Sequence, residues 1–214
     1  MRRPQSYAAA MQLTWQESVD AFTAAAAWFA ATTGEADGRW ADPGLGEWDV
    51  RALVGHTSRA LLTVESYIAT PAARVDVESA PRYYEAARSL GGGAAVAQRG
   101  RDAGQALGDD PTAAVSRIAE RVVPLVQRCT GEELVTTIMG GMRLADYLPT
   151  RTFELVVHTC DLAVALGLTP TPPPASLRAA FTLAAELVLA GEDAAGVLLA
   201  LTGRRPLPPD YSVV

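Results

Sequence analysis

Residues 151–167 read RTFELVVHTCDLAVALG, and this stretch decides the fold. Arg151, Glu154, His158 and Asp161 stand three, four and three residues apart, so they form one polar stripe along a single helical face. The residues between them (Phe153, Leu155, Val156 and Val157) are apolar, which sets the stripe into a helix with a buried face. Charge in such a place is costly unless it is paired or bound to a metal ion. The helix is read from about Arg143 to Leu166 and closed by Gly167, with Pro149 either bending it or marking its true start.

Outward from that helix, the pattern stays helical almost throughout. A first helix runs from about Trp15 to Thr32, followed by a loop rich in Gly and Pro. Asp49 is the expected N-cap of a second helix reaching Ala69, where Thr70-Pro71 ends it. A third helical region from Pro81 to Leu107 is interrupted at Gly91-Gly92-Gly93, which reads as a flexible bend. Asp110 and Pro111 start a fourth helix that ends near Cys129. Leu134–Met139, with Gly140-Gly141 behind it, reads as a connector containing one extended edge segment. Pro170, Pro172, Pro173 and Pro174 form a stiff linker. Short helices follow over 175–190 and 193–201, and then a proline-rich tail. The expectation is an all-α four-helix bundle over 1–168, with 169–214 packed on it.

Composition narrows the function classes. The net charge is −6, a poor basis for nonspecific binding of nucleic acid or an anionic membrane. The longest purely apolar run, Ala24 to Ala31, is too short to span a bilayer. No apolar core of signal-peptide length follows Arg2 and Arg3. Cys129 and Cys160 form no CxxC pair and imply no disulfide framework, so a cytoplasmic protein is expected, as a monomer or homodimer. All 18 basic residues are Arg, Lys and Asn are absent, and Ala occurs 40 times, usage that points to a high-GC, actinobacterial type of genome.

The chain has only two histidines, His56 and His158. Glu154 and His158, one turn apart, suit two ligands of one ion, and His56 on the second helix supplies a third across the bundle. Three ligands and an open position are what a catalytic zinc takes, although residue types alone also admit nickel or iron. The plain alternative is a surface Glu–His hydrogen bond and a satisfied core histidine. Asp161 reads as either a hydrogen-bond acceptor for a ligating His or a structural residue. Arg59, Arg143 and Arg151 read as carboxylate binders for a thiol or substrate, or as ordinary ion pairs. Tyr147, on the Glu154 face, reads as a substrate contact or as core packing. No Ser-His-Asp arrangement is supported, and Gly91-Gly92-Gly93 lacks the strand and spacing of a nucleotide loop.

Two motifs carry a resemblance. Trp40…Pro43…Trp48-Asp49-Val50-Arg51-Ala52-Leu53-Val54-Gly55-His56, taken with Arg151-x-x-Glu154-x-x-x-His158-x-x-Asp161-Leu162-Ala163, is similar to the mycothiol-dependent maleylpyruvate isomerase family of the DinB-like superfamily. The resemblance implies a DinB-like bundle with His56, Glu154 and His158 as ligands of a divalent metal, zinc foremost. It also implies mycothiol as the thiol cosubstrate and an electrophilic small molecule as its partner. The expected chemistry is that of an S-transferase or a cis–trans isomerase. The alternatives are a non-catalytic metal- and thiol-binding bundle, and a hydrolase using metal-bound water. Isomerases of the family carry a further C-terminal lobe that supplies an arginine. Residues 175–214 read instead as short helices and tail, in which Arg204 or Arg205 takes that role or is simply exposed.

Overall fold

The computed structural model describes residues 13–88 and 94–214. The Arg2-Arg3 terminus and the Gly91-Gly92-Gly93 bend lie outside the described residues. The elements in order are α1 (Trp15–Gly34), α2 (Val50–Ile68), α3 (Ala80–Arg88), α4 (Ala94–Ala106), α5 (Pro111–Gln127), β1 (Leu134–Thr137), β2 (Gly140–Arg143), α6 (Leu144–Ala165), α7 (Pro174–Ala190) and α8 (Ala194–Leu201). Among the described residues the fold is all-α apart from this one small hairpin. No helix among the described residues is long and apolar enough to cross a membrane.

The bundle consists of α1, α2, α5 and α6. Helices α1 and α2 each pack against both α5 and α6, so α1 lies diagonally across from α2. Phe22 and Phe29 of α1, Leu53 and Leu61 of α2, and Leu144, Leu148, Leu155 and Leu162 of α6 are fully buried in the shared core. Each such side chain contributes about 1.5–3 kcal/mol through removal from water. Local signals fix the helix ends. Asp49 accepts a hydrogen bond from the Ala52 amide at 2.7 Å, and Asp110 accepts one from the Ala113 amide at 2.9 Å. Gly167, at φ 68°, closes α6, and Arg39 donates to the free carbonyls of Ala165 and Leu166. Pro149 does not mark the start of α6, which begins five residues earlier at Leu144.

Two differences from the sequence reading have clear causes. The 134–139 connector is the first strand of a hairpin, and Gly140-Gly141 opens the second. Gly140 adopts φ 113°, which reverses the chain after only Ile138 and Met139. A side chain on Gly141 would collide with the Arg74 carbonyl, so the segment after α2 closes directly onto the hairpin. Ala72 and Asp76 amides donate to Leu134 and Gly141 there. The second difference is α4, which packs against α2 backbone to backbone. Arg51 donates from its guanidinium to the Gly104 and Gly108 carbonyls at the end of α4.

Helix α7 packs on α1 and α6, and buried Ser176 donates to the Ala21 carbonyl at 2.7 Å. The tail returns over α3, where Arg88 donates to the Val213 carbonyl.

A methyl group on Gly55 would lie inside the van der Waals envelope of the Gly104 backbone, so neither helix can accommodate it by a rotamer change. Gly55→Ala should therefore cost about 1–3 kcal/mol as α4 is pushed off α2. Denaturant melts read the loss, and an unchanged midpoint would contradict the close approach.

Candidate metal centre

The site sits where α2, α3 and α6 meet. Helix α2 brings His56 toward the α6 stripe, and one ligand atom from each of His56, Glu154 and His158 lies within 4.8 Å of the others. The two imidazole rings stand edge to face at 87°, their centroids 4.8 Å apart. His158 Nε2 lies 3.3 Å from Glu154 Oε2, while its Nδ1 lies 3.0 Å from Asp161 Oδ2. Asp161 thus holds the far nitrogen of the ring as a donor and leaves Nε2 turned toward Glu154 and His56. The indole of Trp48 covers the other side of His56, with ring centroids 4.4 Å apart, and is itself anchored by a hydrogen bond to the Ala97 carbonyl.

Burial sets the charge states. Removal from water, with the His158 charge nearby, pushes His56 down to about 4, so it is neutral at pH 7. Burial acts in the same direction on His158, but its hydrogen bonds to Asp161 and Glu154 overcome it and hold the ring at about 9. Burial would raise Glu154. The His158 hydrogen bond and the Arg151 charge overcome that too, keeping the carboxyl at about 2. Tyr84, buried beside this carboxylate, has its hydroxyl pushed well above the ordinary value and stays a donor. The donor set fits a divalent ion. It comprises two imidazoles and one ionised carboxylate, and Nδ1 of His56 is buried with no hydrogen-bond partner.

The site opens into a cavity of about 360 Å³, whose wall includes His56, Glu154, Arg59, Thr63, Tyr67, Tyr83, Tyr84, Val96, Arg99, Ile138 and Arg151. The Arg151 guanidinium lies over the rings of Tyr147 and Tyr83, at 5.0 and 5.6 Å from their centroids, and Nε donates to Thr150. Among the described residues, Arg59, Arg99 and Arg151 have no carboxylate within ion-pair distance. An acidic chain therefore presents a cationic cavity wall.

The structure brings together His56, Glu154, His158, Asp161, Arg151 and Arg59. It does not bring Arg143, which is exposed at the start of α6 and paired with Asp146. Tyr147 is fully buried beneath Arg151, donates to Thr63, and does not line the cavity. Arg205 pairs with Asp193 at the start of α8 and Arg204 donates to the Thr202 carbonyl at its end, and neither lines the cavity. Sequence reasoning did not reach Tyr84, Tyr83 or Arg99. The Tyr83-Tyr84 pair lies on a short helix with no spacing relation to either motif, so no local signal marked it.

The family model described as mycothiol maleylpyruvate isomerase N-terminal domain matches residues 18–163, about two thirds of the chain. No curated protein and no solved structure gives a significant match.

The two histidines titrate in opposite senses. His56 is lowered on folding, so its stabilisation is present above its ordinary value of 6.5 and is lost as pH falls toward 4. His158 is raised, so its stabilisation is complete below 6.5 and is lost as pH rises through about 9. The metal-free protein should melt highest near neutrality and lower on both flanks. His158→Gln should remove the alkaline flank in thermal melts taken across pH 4 to 10. Survival of that flank in the variant would contradict the assignment.

Proposed function

Because the chain belongs to the mycothiol maleylpyruvate isomerase N-terminal domain family, we propose that it is a metal-dependent enzyme that uses a low-molecular-weight thiol, mycothiol, against an electrophilic small molecule. The reaction class is S-transfer or thiol-assisted cis–trans isomerisation. The observation that carries this reading is the convergence of His56, Glu154 and His158 beside a cavity that His56 and Glu154 line, together with arginines that have no carboxylate partner among the described residues.

His56, Glu154 and His158 would hold the ion, with zinc the first candidate for a two-imidazole, one-carboxylate set. A bound divalent metal supplies a lowered thiol pKa, and hence thiolate at neutral pH. The chain's own groups do the rest. His56, neutral at pH 7, offers its lone pair without first losing a proton. His158 gives up its Nε2 proton on binding, while Asp161 keeps Nδ1 as a donor and so keeps the ring oriented. Arg151 and Arg59 hold an anionic group of the substrate. Arg151 is the better placed, because stacking on Tyr83 and Tyr147 orders its guanidinium before anything binds. Tyr67, Tyr83, Tyr84 and Ile138 supply the less polar part of the wall, against which the reacting carbon and sulfur would lie.

Purified protein should contain one divalent metal per chain by elemental analysis, and His158→Ala should contain none. At a free metal concentration a hundredfold above Kd, the metal should stabilise the fold by about 2.7 kcal/mol, or about 5–10 °C in Tm for a chain of this size. Wild-type protein free of metal after reconstitution with zinc, nickel and iron would overturn the reading. Titration with mycothiol, followed by turnover of electrophiles, separates an enzyme from a binding protein, since thiol binding without turnover means the latter. Activity without any thiol means a hydrolase. For carboxylate-bearing substrates, Arg151→Ala should raise KM at least tenfold, while a neutral electrophile should show no such rise.

A further inference from the structure

We propose that Tyr84 is a positioning residue that fixes how Glu154 presents its carboxylate to the ion, an inference that rests on the metal-site reading above. The Tyr84 hydroxyl donates to Glu154 Oε1 at 2.7 Å, while Oε2 faces His158 at 3.3 Å. The two oxygens are therefore not equivalent. Oε1 is committed to the tyrosine, and Oε2 is the oxygen turned toward His158.

The hold comes from outside the ligand helix. Tyr84 belongs to α3, whereas Glu154 belongs to α6, so the orientation does not follow from the α6 backbone alone. The tyrosine ring is itself wedged, standing edge to face with Tyr83 at 5.8 Å and with Phe153 at 5.9 Å between centroids. The residue is buried, although it forms part of the cavity wall. The segment leading into α3 is tied to the hairpin through the Asp76 and Val77 amides, which both donate to the Gly141 carbonyl.

The chemical consequence concerns vacancy. A carboxylate free to rotate can turn both oxygens toward an ion and close on it in bidentate fashion, taking a position that a thiol needs. With Oε1 occupied by a hydrogen bond, Glu154 offers a single oxygen and the open position is kept. Hydrogen-bond partners of metal ligands commonly act in this way, and their loss costs about 10–100-fold in metal affinity.

The test uses the full chain reconstituted with cobalt(II), whose visible ligand-field spectrum reports coordination number and geometry. Tyr84→Phe keeps the ring and removes only the hydroxyl. The expected result is a drop of about 10–100-fold in cobalt affinity together with a changed visible spectrum. In a Glu154→Gln background, the same substitution should cost nothing further and leave the spectrum as it is. Wild-type affinity and spectrum in Tyr84→Phe would overturn the role, and so would an equal loss in the Glu154→Gln background, which would place the effect in packing. A metal-free Tyr84→Phe protein that fails to fold by circular dichroism would overturn it as well, because the hydroxyl would then serve the fold. Wild-type protein that takes up no cobalt would defeat the metal-site reading itself. Wild type that binds cobalt indistinguishably from the variant defeats only the role of Tyr84.

Discussion

The rest of the structure is organised around an ionised carboxylate, that of Glu154, held inside a helical bundle. Taking such a group out of water costs several kcal/mol unless partners compensate. Here the compensation comes from three directions. His158 lies one turn along the same helix, Tyr84 comes from α3, and the Arg151 charge lies one turn before. Each partner is in turn constrained, His158 by Asp161, Arg151 by the faces of two tyrosines, and Tyr84 by a ring cluster. An unsatisfied member of such a network is costly, and among the described residues the buried Nδ1 of His56 has no hydrogen-bond partner.

The scaffold meets this demand with small residues. Alanine and glycine let helix backbones approach closely, which brings α4 against α2 and carries Arg99 and Val96 to the cavity rim. The same approach places Trp48 between Gly100 and the His56 ring. The hairpin after α5 plays a comparable part. It ties down the α2–α3 segment and sets Ile138 at the cavity mouth. Elements that look peripheral in the chain order thus supply the walls around ligands carried by α2 and α6.

Charge is distributed unevenly. The chain as a whole carries −6, yet the arginines in the cavity wall lack acidic partners among the described residues, while most exposed arginines elsewhere that form ion pairs do so with close neighbours in sequence. In a partly dry cavity an unpaired guanidinium acts more strongly than it would in water. The arrangement favours an anion there without giving the whole surface affinity for polyanions.

What the sequence determined by itself is local. Helix positions, the Asp49 and Asp110 caps and the Gly167 stop follow from side chains acting within a few residues of their own backbone, and the structure agrees with them. The stripe of Arg151, Glu154, His158 and Asp161 was legible because one helix at 3.6 residues per turn aligns residues three and four apart. The tertiary structure alone decided what came from elsewhere in the chain. Tyr84 reaches Glu154 across 70 residues, Trp48 caps His56 because of α4, and Arg143, just before α6, and Tyr147, on the same helix as Glu154, fall away from the cavity. Helical periodicity sets which face a residue occupies, but not how far along the axis the pocket extends or which neighbouring helix closes it. Those depend on packing between distant segments, which no local spacing encodes.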